Sequence, residues 1–280
     1  MVRLKDRYSN GFFARPALLP VVVSLFLTAC QPTKLSNSVS IDPEQGSEAN
    51  ITSLTSVVDN HPDSPEAYNV RGTAYGRAGK NREALADFTQ AIKLNNRFYQ
   101  AFANRALIYR QMGDAINAAK DYSSALKINP QYDVAYIGRG TIYYQSNREK
   151  EAMRDFQRAI QLGSTNPRAY HQRGLIHQNN RRHALAVEDF SSAISLSPDA
   201  PEPYNGRGIS YLAQGADQNA LEDFNRALRL DEKSAEAWAN QALVYERRGD
   251  KKRAFKSYAR AANLDSSYRP AREGMKRTRG

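Results

Sequence analysis

The chain has 280 residues, 41% of them hydrophobic and 25% charged, and a formal charge of +11. The excess is local: residues 247–280 hold twelve Lys/Arg against three Asp/Glu, and residues 30–246 sum to −1, so one end carries the basicity. The single cysteine, Cys30, excludes an internal disulfide and leaves zinc without Cys ligands.

The first fifteen residues carry Arg3, Lys5, Arg7 and Arg15 against one acid, Asp6, and the run from Pro16 to Ala29 is almost wholly apolar. A basic segment before a short apolar one reads as a secretory signal over residues 1–29, too short for a membrane span. It ends in Leu27-Thr28-Ala29-Cys30, which resembles the lipobox of bacterial lipoproteins. That resemblance implies cleavage before Cys30 and its acylation, palmitate included. Gln31, where inner-membrane lipoproteins of enteric bacteria usually have Asp, implies sorting to the outer membrane, facing the periplasm. Residues 30–46 are polar and predict a flexible tether, with a full reach of roughly 55–60 Å.

The lead-in segment, residues 47–64, predicts one helix over residues 47–60, with Ile51, Leu54, Val57 and Val58 on a face and Pro62 after it. In register this is the second helix of a missing repeat, covering the apolar end of a stack.

From Pro65 the chain repeats every 34 residues, without insertion, in six copies: 65–98, 99–132, 133–166, 167–200, 201–234 and 235–268. Place 4 of each copy is a large ring: Tyr68, Phe102, Tyr136, Tyr170, Tyr204 and Trp238. Place 8 is Gly or Ala, and place 11 is Tyr except for His177. These places are spaced i, i+4, i+7 and form one stripe of a first helix. A second stripe with the same spacing stands at places 20, 24 and 27, from Ala84, Phe88 and Ala91 in the first copy to Ala254, Tyr258 and Ala261 in the last. Between the stripes lie turns with Gly79, Gly113, Gly215 and Gly249, where a helix end needs positive φ. A period of this length predicts stacked helical hairpins, none able to bury its apolar face alone.

Residues 65–268 resemble the tetratricopeptide repeat (TPR) family on these stripes and turns. The resemblance implies an all-α fold, an antiparallel helix pair per repeat wound into a right-handed superhelical solenoid, and a concave groove that takes peptides. Residues 269–280 then form a basic C-terminal cap.

Place 7 is Arg and place 23 is Asp in the same five copies: Arg71 with Asp87, Arg105 with Asp121, Arg139 with Asp155, Arg173 with Asp189, and Arg207 with Asp223. In the sixth copy both change, to Gln241 and Ser257. Joint loss predicts ion pairs between the two helices, since a lone buried charge is costly. An arginine ladder that binds anions is the other reading.

By the family's pattern the groove draws on first-helix places 2, 5, 6, 9, 12 and 13. Here the candidate peptide-binding residues are Asn69, Asn104, Arg110, Tyr144, His171, Gln178, Asn205 and Asn240, with Thr73, Arg77, Gln111, Gln145 and Arg247 beside them. Such an amide-rich lining suits hydrogen bonds to an extended peptide. The carboxylate clamp of some TPR domains is not supported, because Asn69, Thr73, Asn104, Val134 and Gly138 depart from it at three of five positions.

No catalytic order of Ser, His and Asp stands out, and the glycines fall at packing or turn positions rather than in a phosphate-cradling loop. His171, His177 and His183 are six apart, and on one helix each would be rotated by about 240° from the last, so they share no face. No enzyme activity, cofactor or metal is expected.

The plan is similar to that of TPR lipoproteins of the NlpI type, which implies a lipid-anchored scaffold for protein–protein interaction in the bacterial cell envelope, recruiting hydrolases, proteases or other periplasmic proteins. The alternative is a structural, pilotin-like subunit of an outer-membrane machine, acting through its convex surface or self-association. The basic end reads either as a solvated cap or as a patch for anionic phospholipid, lipopolysaccharide or an acidic partner. Nucleic acid is not expected for an exported chain.

Overall fold

The computed structural model describes residues 46–279, all within one compact unit spanning Val39–Gly280. The signal segment, Cys30 and the tether up to Gln45 lie outside the described residues. Among the described residues there are fourteen helices and no strand. The lead-in is α1 (Glu48–Asn60). First helices of the repeats are α2 (Pro65–Arg77), α4 (Tyr99–Gln111), α6 (Asp133–Gln145), α8 (Pro167–Asn179), α10 (Pro201–Ala213) and α12 (Ala235–Arg247). Second helices are α3 (Asn81–Leu94), α5 (Ala115–Ile128), α7 (Glu149–Gln161), α9 (His183–Leu196), α11 (Asp217–Leu230) and α13 (Lys251–Leu264), and α14 (Arg269–Thr278) closes the series.

Local chemistry starts and stops these helices. Ser64 and Ser234 accept the backbone N–H of Ala67 and Ala237 at 3.1 and 3.2 Å, and Asp114 and Asp250 cap α5 and α13 in the same way. Pro65, Pro167 and Pro201 occupy first positions, where no N–H is needed. The turns within the hairpins pass through positive φ at Gly79, Gly113, Gly215 and Gly249. In the third and fourth repeats that place belongs to Asn147 and Arg181, at φ of 58° and 56°, a conformation that strains an L side chain other than Asn.

Rings seat on small residues. Phe88, Phe156, Phe190 and Phe224 are fully buried, each against the place-8 glycine of its own first helix: Gly72, Gly140, Gly174 and Gly208. At alternate junctions the ring also lies on the next first helix. A Cβ at Gly138 would stand 2.2 Å from Tyr122 Cζ, at Gly206 2.6 Å from Phe190, and at Gly274 2.3 Å from Tyr258. At those distances only hydrogen fits.

The ion pairs connect the helices of a hairpin and the hairpins to one another. Arg139 donates from Nε and Nη2 to both oxygens of Asp155 at 2.8 Å, and the same fork joins Arg71–Asp87, Arg105–Asp121, Arg173–Asp189 and Arg207–Asp223. The remaining Nη1 of Arg105, Arg139 and Arg207 donates back to Thr89, Ser123 and Ser191 of the preceding repeat. In the sixth repeat a neutral chain replaces the charges: Ser257 donates to Gln241, which donates to Asn225. The hydrogen bond to Asp155 holds the Arg139 guanidinium above its usual pKa against the opposing pull of burial.

Each first helix touches the next along the whole series, from α2 with α4 to α12 with α14, whereas no two second helices meet. The first helices therefore form the inner, concave face and the second helices fan apart outside. α14 takes the seat of a seventh first helix, with Ala271, Gly274 and Thr278 buried. Among the described residues no helix is long and apolar enough to cross a membrane.

Asp155→Ala strands a part-buried guanidinium, and a loss of about 3 kcal/mol is expected, more than for Arg139→Ala and Asp155→Ala together. Denaturant melts of the two single variants and the double variant measure this, and additive losses would refute the coupling.

Candidate functional site: the concave face

The concave face has an aliphatic floor framed by amides. Place 9 of successive first helices supplies Thr73, Leu107, Thr141, Leu175, Ile209 and Leu243. Leu107 and Leu243 are each 37% exposed, and Leu175 and Ile209 half-buried. The prediction from sequence weighed the polar lining and missed this row, which is visible once place 9 is read down the six copies.

The amides foreseen for the groove bond largely to one another. Asn104 Nδ2 donates to Asn69 Oδ1 at 3.0 Å, and Asn240 Nδ2 to Asn205 Oδ1 at 3.0 Å. Asn179 donates to the Tyr144 hydroxyl at 2.9 Å, Gln178 to the Gly206 carbonyl and the Ser210 hydroxyl at 2.8 Å, and Arg247 to the Leu212 carbonyl at 2.7 Å. These bonds hold the side chains in place, and each Asn pair keeps one amide group and one carbonyl oxygen for a peptide backbone. Arg110 is half-buried and, among the described residues, in no ion pair.

His171, Gln178 and Asn205 come together around one cavity of about 270 Å³ between α8, α10 and α12, whose apolar walls include Leu175, Ile209, Ala227 and Ala237 and whose rim carries Glu202, Asp231 and Glu236. Asn240 lines a second cavity, of about 400 Å³, with Leu243, Tyr258, Arg269 and Arg277. Asn69, Asn104, Arg110 and Tyr144 line neither. The His171 ring lies 5.7 Å from that of Phe190, and burial lowers its pKa, with Glu202 opposing and Arg168 reinforcing the shift.

The expected geometry of the three histidines is corrected: His171 and His177 share α8, whereas His183 opens α9, so a rotation counted along one helix applies to the first two alone. His177 occupies the tyrosine place of its repeat, with Nε2 3.8 Å from Asp189 Oδ2 and a buried Nδ1 that has no partner. Among the described residues no group of three or more His, Cys, Asp or Glu is placed to hold a metal ion.

A tetratricopeptide repeat model matches residues 69–133, 171–235 and 218–268, and a second TPR model matches residues 140–180. The chain belongs to the tetratricopeptide repeat family. Among curated proteins none matches it. A solved structure of the APC/C hetero-tetramer Cut9–Hcn1 is similar with a TM-score of 0.71 at 19% identity, over 84% of this chain and 47% of that one, so this TPR chain spans about half the length of that relative. YrrB, a TPR protein with an unusual peptide-binding site, is similar with a TM-score of 0.59 at 23% identity, over 68% of this chain and 97% of its own. PilW, a widely conserved type IV pilus biogenesis factor, gives 0.65 at 18%, over 75% and 97%. At these identities the likenesses establish the fold. TPR repeats make this chain a protein–protein interaction scaffold.

His177→Tyr restores the ring of the other five repeats and removes the unpartnered nitrogen, so a gain of about 1 kcal/mol is expected. It also tests an acid dependence. Burial leads the causes that lower the pKa of both His171 and His177, with Asp189 opposing and Arg173 and Arg182 reinforcing at His177. The unfolded chain therefore protonates first: their contribution is complete above about pH 6.5 and lost as pH falls below it. Thermal melts between about pH 7 and pH 5 should show a shallower acid loss for His177→Tyr, and an unchanged slope counts against it.

Proposed function

We propose that this protein is a non-catalytic scaffold that holds an extended segment of a partner protein on its concave face, at a membrane of the bacterial cell envelope. The aliphatic row carries the reading, with Leu107 and Leu243 exposed and Leu175 and Ile209 half-buried between them: it supplies apolar contact for alternate side chains of a peptide, and the Asn pairs beside it supply backbone partners. The cavity between α8, α10 and α12, of about 270 Å³, has the volume for one side chain. Attachment rests on the sequence around Cys30, and outer-membrane sorting on Gln31. Envelope hydrolases or proteases are the class of partner this plan serves.

Site-specific crosslinking from the groove in native membranes, followed by pull-down, tests the binding surface. Leu175→Lys with Ile209→Lys, or Asn104→Ala with Tyr144→Ala, should weaken partner recovery at least about tenfold, a loss of about 1.4 kcal/mol. Recovery lost only with changes on the second helices or the C-terminal end would move the contact to the convex side, as a pilotin-like assembly subunit requires. Separately, Cys30→Ser should release the chain from the membrane fraction and abolish labelling by a palmitate analogue. Unaltered fractionation and labelling would remove the lipid anchor.

A further inference from the structure

α14 is built differently from every first helix before it. In α2 to α12 the stripe at places 4, 8 and 11 is a ring, a Gly or Ala, and a Tyr or His. In the seventh position the same places hold Arg272, Lys276 and Arg279, the last at the capping residue that ends the helix. All three are exposed. Their i, i+4, i+7 spacing puts them on one side over about 10 Å.

The other cations of this helix are neutralised. Arg277 donates to both oxygens of Glu246 at 2.7 and 2.9 Å, and Arg269 pairs with Glu273 at 2.7 Å. Among the described residues Arg272, Lys276 and Arg279 have no carboxylate within ion-pair distance. Adjoining α13 adds Lys252, Lys256 and Arg260, also exposed and outside any ion pair. A cap that only stops further stacking works with charges of both signs. A row of one sign, left unpaired, projects a field into solvent.

We propose that this ridge docks the C-terminal end of the solenoid on an anionic phospholipid surface. An acidic protein is the competing occupant, and it is disfavoured because neither α13 nor α14 exposes a large hydrophobic side chain, and the exposed Leu243 of α12 lies by Arg269 and Arg277, the two cations already paired, so the unpaired row has no apolar anchor on its own helices as a protein interface needs. The ridge stands independently of the groove and of acylation at Cys30.

The test is partition of the full chain onto vesicles of phosphatidylcholine alone and of phosphatidylcholine mixed with phosphatidylglycerol, for wild type and for Arg272→Gln/Lys276→Gln/Arg279→Gln. Each basic side chain near such a surface is worth about 1 kcal/mol, so the triple variant should lose on the order of 100-fold of the anionic increment, and raised salt should erase it in the wild type. An equal increment in the variant overturns the proposal, as does equal wild-type partition on both vesicles. Ridge-dependent binding to polyglutamate without an anionic-vesicle increment overturns it in favour of an acidic protein. Binding to phosphatidylcholine alone reports the apolar run from Pro16 to Ala29, or its acyl replacement, and its loss leaves the ridge comparison intact.

Discussion

A buried carboxylate at place 23 is the constraint on which the stack depends. Asp87, Asp121, Asp155, Asp189 and Asp223 are between 3% and 5% exposed. A carboxylate taken that far out of water is costly unless it is paired and hydrogen-bonded. The guanidinium sixteen residues earlier supplies a two-pronged partner, and its planar fork fixes the rotation of the first helix against the second. Its third bond, where Thr89, Ser123 or Ser191 is present, ties the hairpin to the one before. The interaction thus specifies both the hairpin and the step between hairpins. The sixth repeat shows which part is essential: Ser257, Gln241 and Asn225 keep the connections without charge, so the geometry is what persists.

The step between hairpins creates the working surface. Because first helices touch their successors and second helices do not, apolar place-9 side chains that would be covered in a flat stack remain open along the inner face. Glycines refine this surface at alternate junctions. Gly138, Gly206 and Gly274 let the rings of Tyr122, Phe190 and Tyr258 lie against the next helix, whereas Asn104, Gln172 and Asn240 stand at the corresponding places between them. The face is therefore patterned over two repeats, with its Asn pairs at the first–second and fifth–sixth junctions.

Hairpins, stripes and the Arg–Asp pairing were legible in the sequence because each is set by spacing within one repeat. The concave face was less legible because its contacts join different repeats with an offset. A 34-residue period suggests that like places are neighbours, but Asn69 meets Asn104, Tyr144 meets Asn179, Asn205 meets Asn240 and Leu212 meets Arg247, all 35 residues apart. The twist of the stack shifts each contact by one place, so side chains read singly as open groove amides are bonded to one another. The turns posed a similar difficulty. Asn147 and Arg181 adopt the left-handed geometry that glycine announces elsewhere; asparagine hints at it, and arginine carries no sign of it.

The two described ends of the stack are chemically unlike, and that bears on self-association. α1 stands where a second helix would be, and its places 24 and 27 are Leu54, half-buried, and Val57, 42% exposed. At the other end the stripe is Arg272, Lys276 and Arg279. Joining copies end to end would set that stripe against the apolar one and take three cations out of water. Each such burial costs several kcal/mol, more than the one exposed valine and half-exposed leucine return at about 1.5–3 kcal/mol for a full side chain. The basic ridge therefore opposes end-to-end stacking of copies, and the same unpaired charge suits the proposed partner, which supplies negative charge without an apolar face.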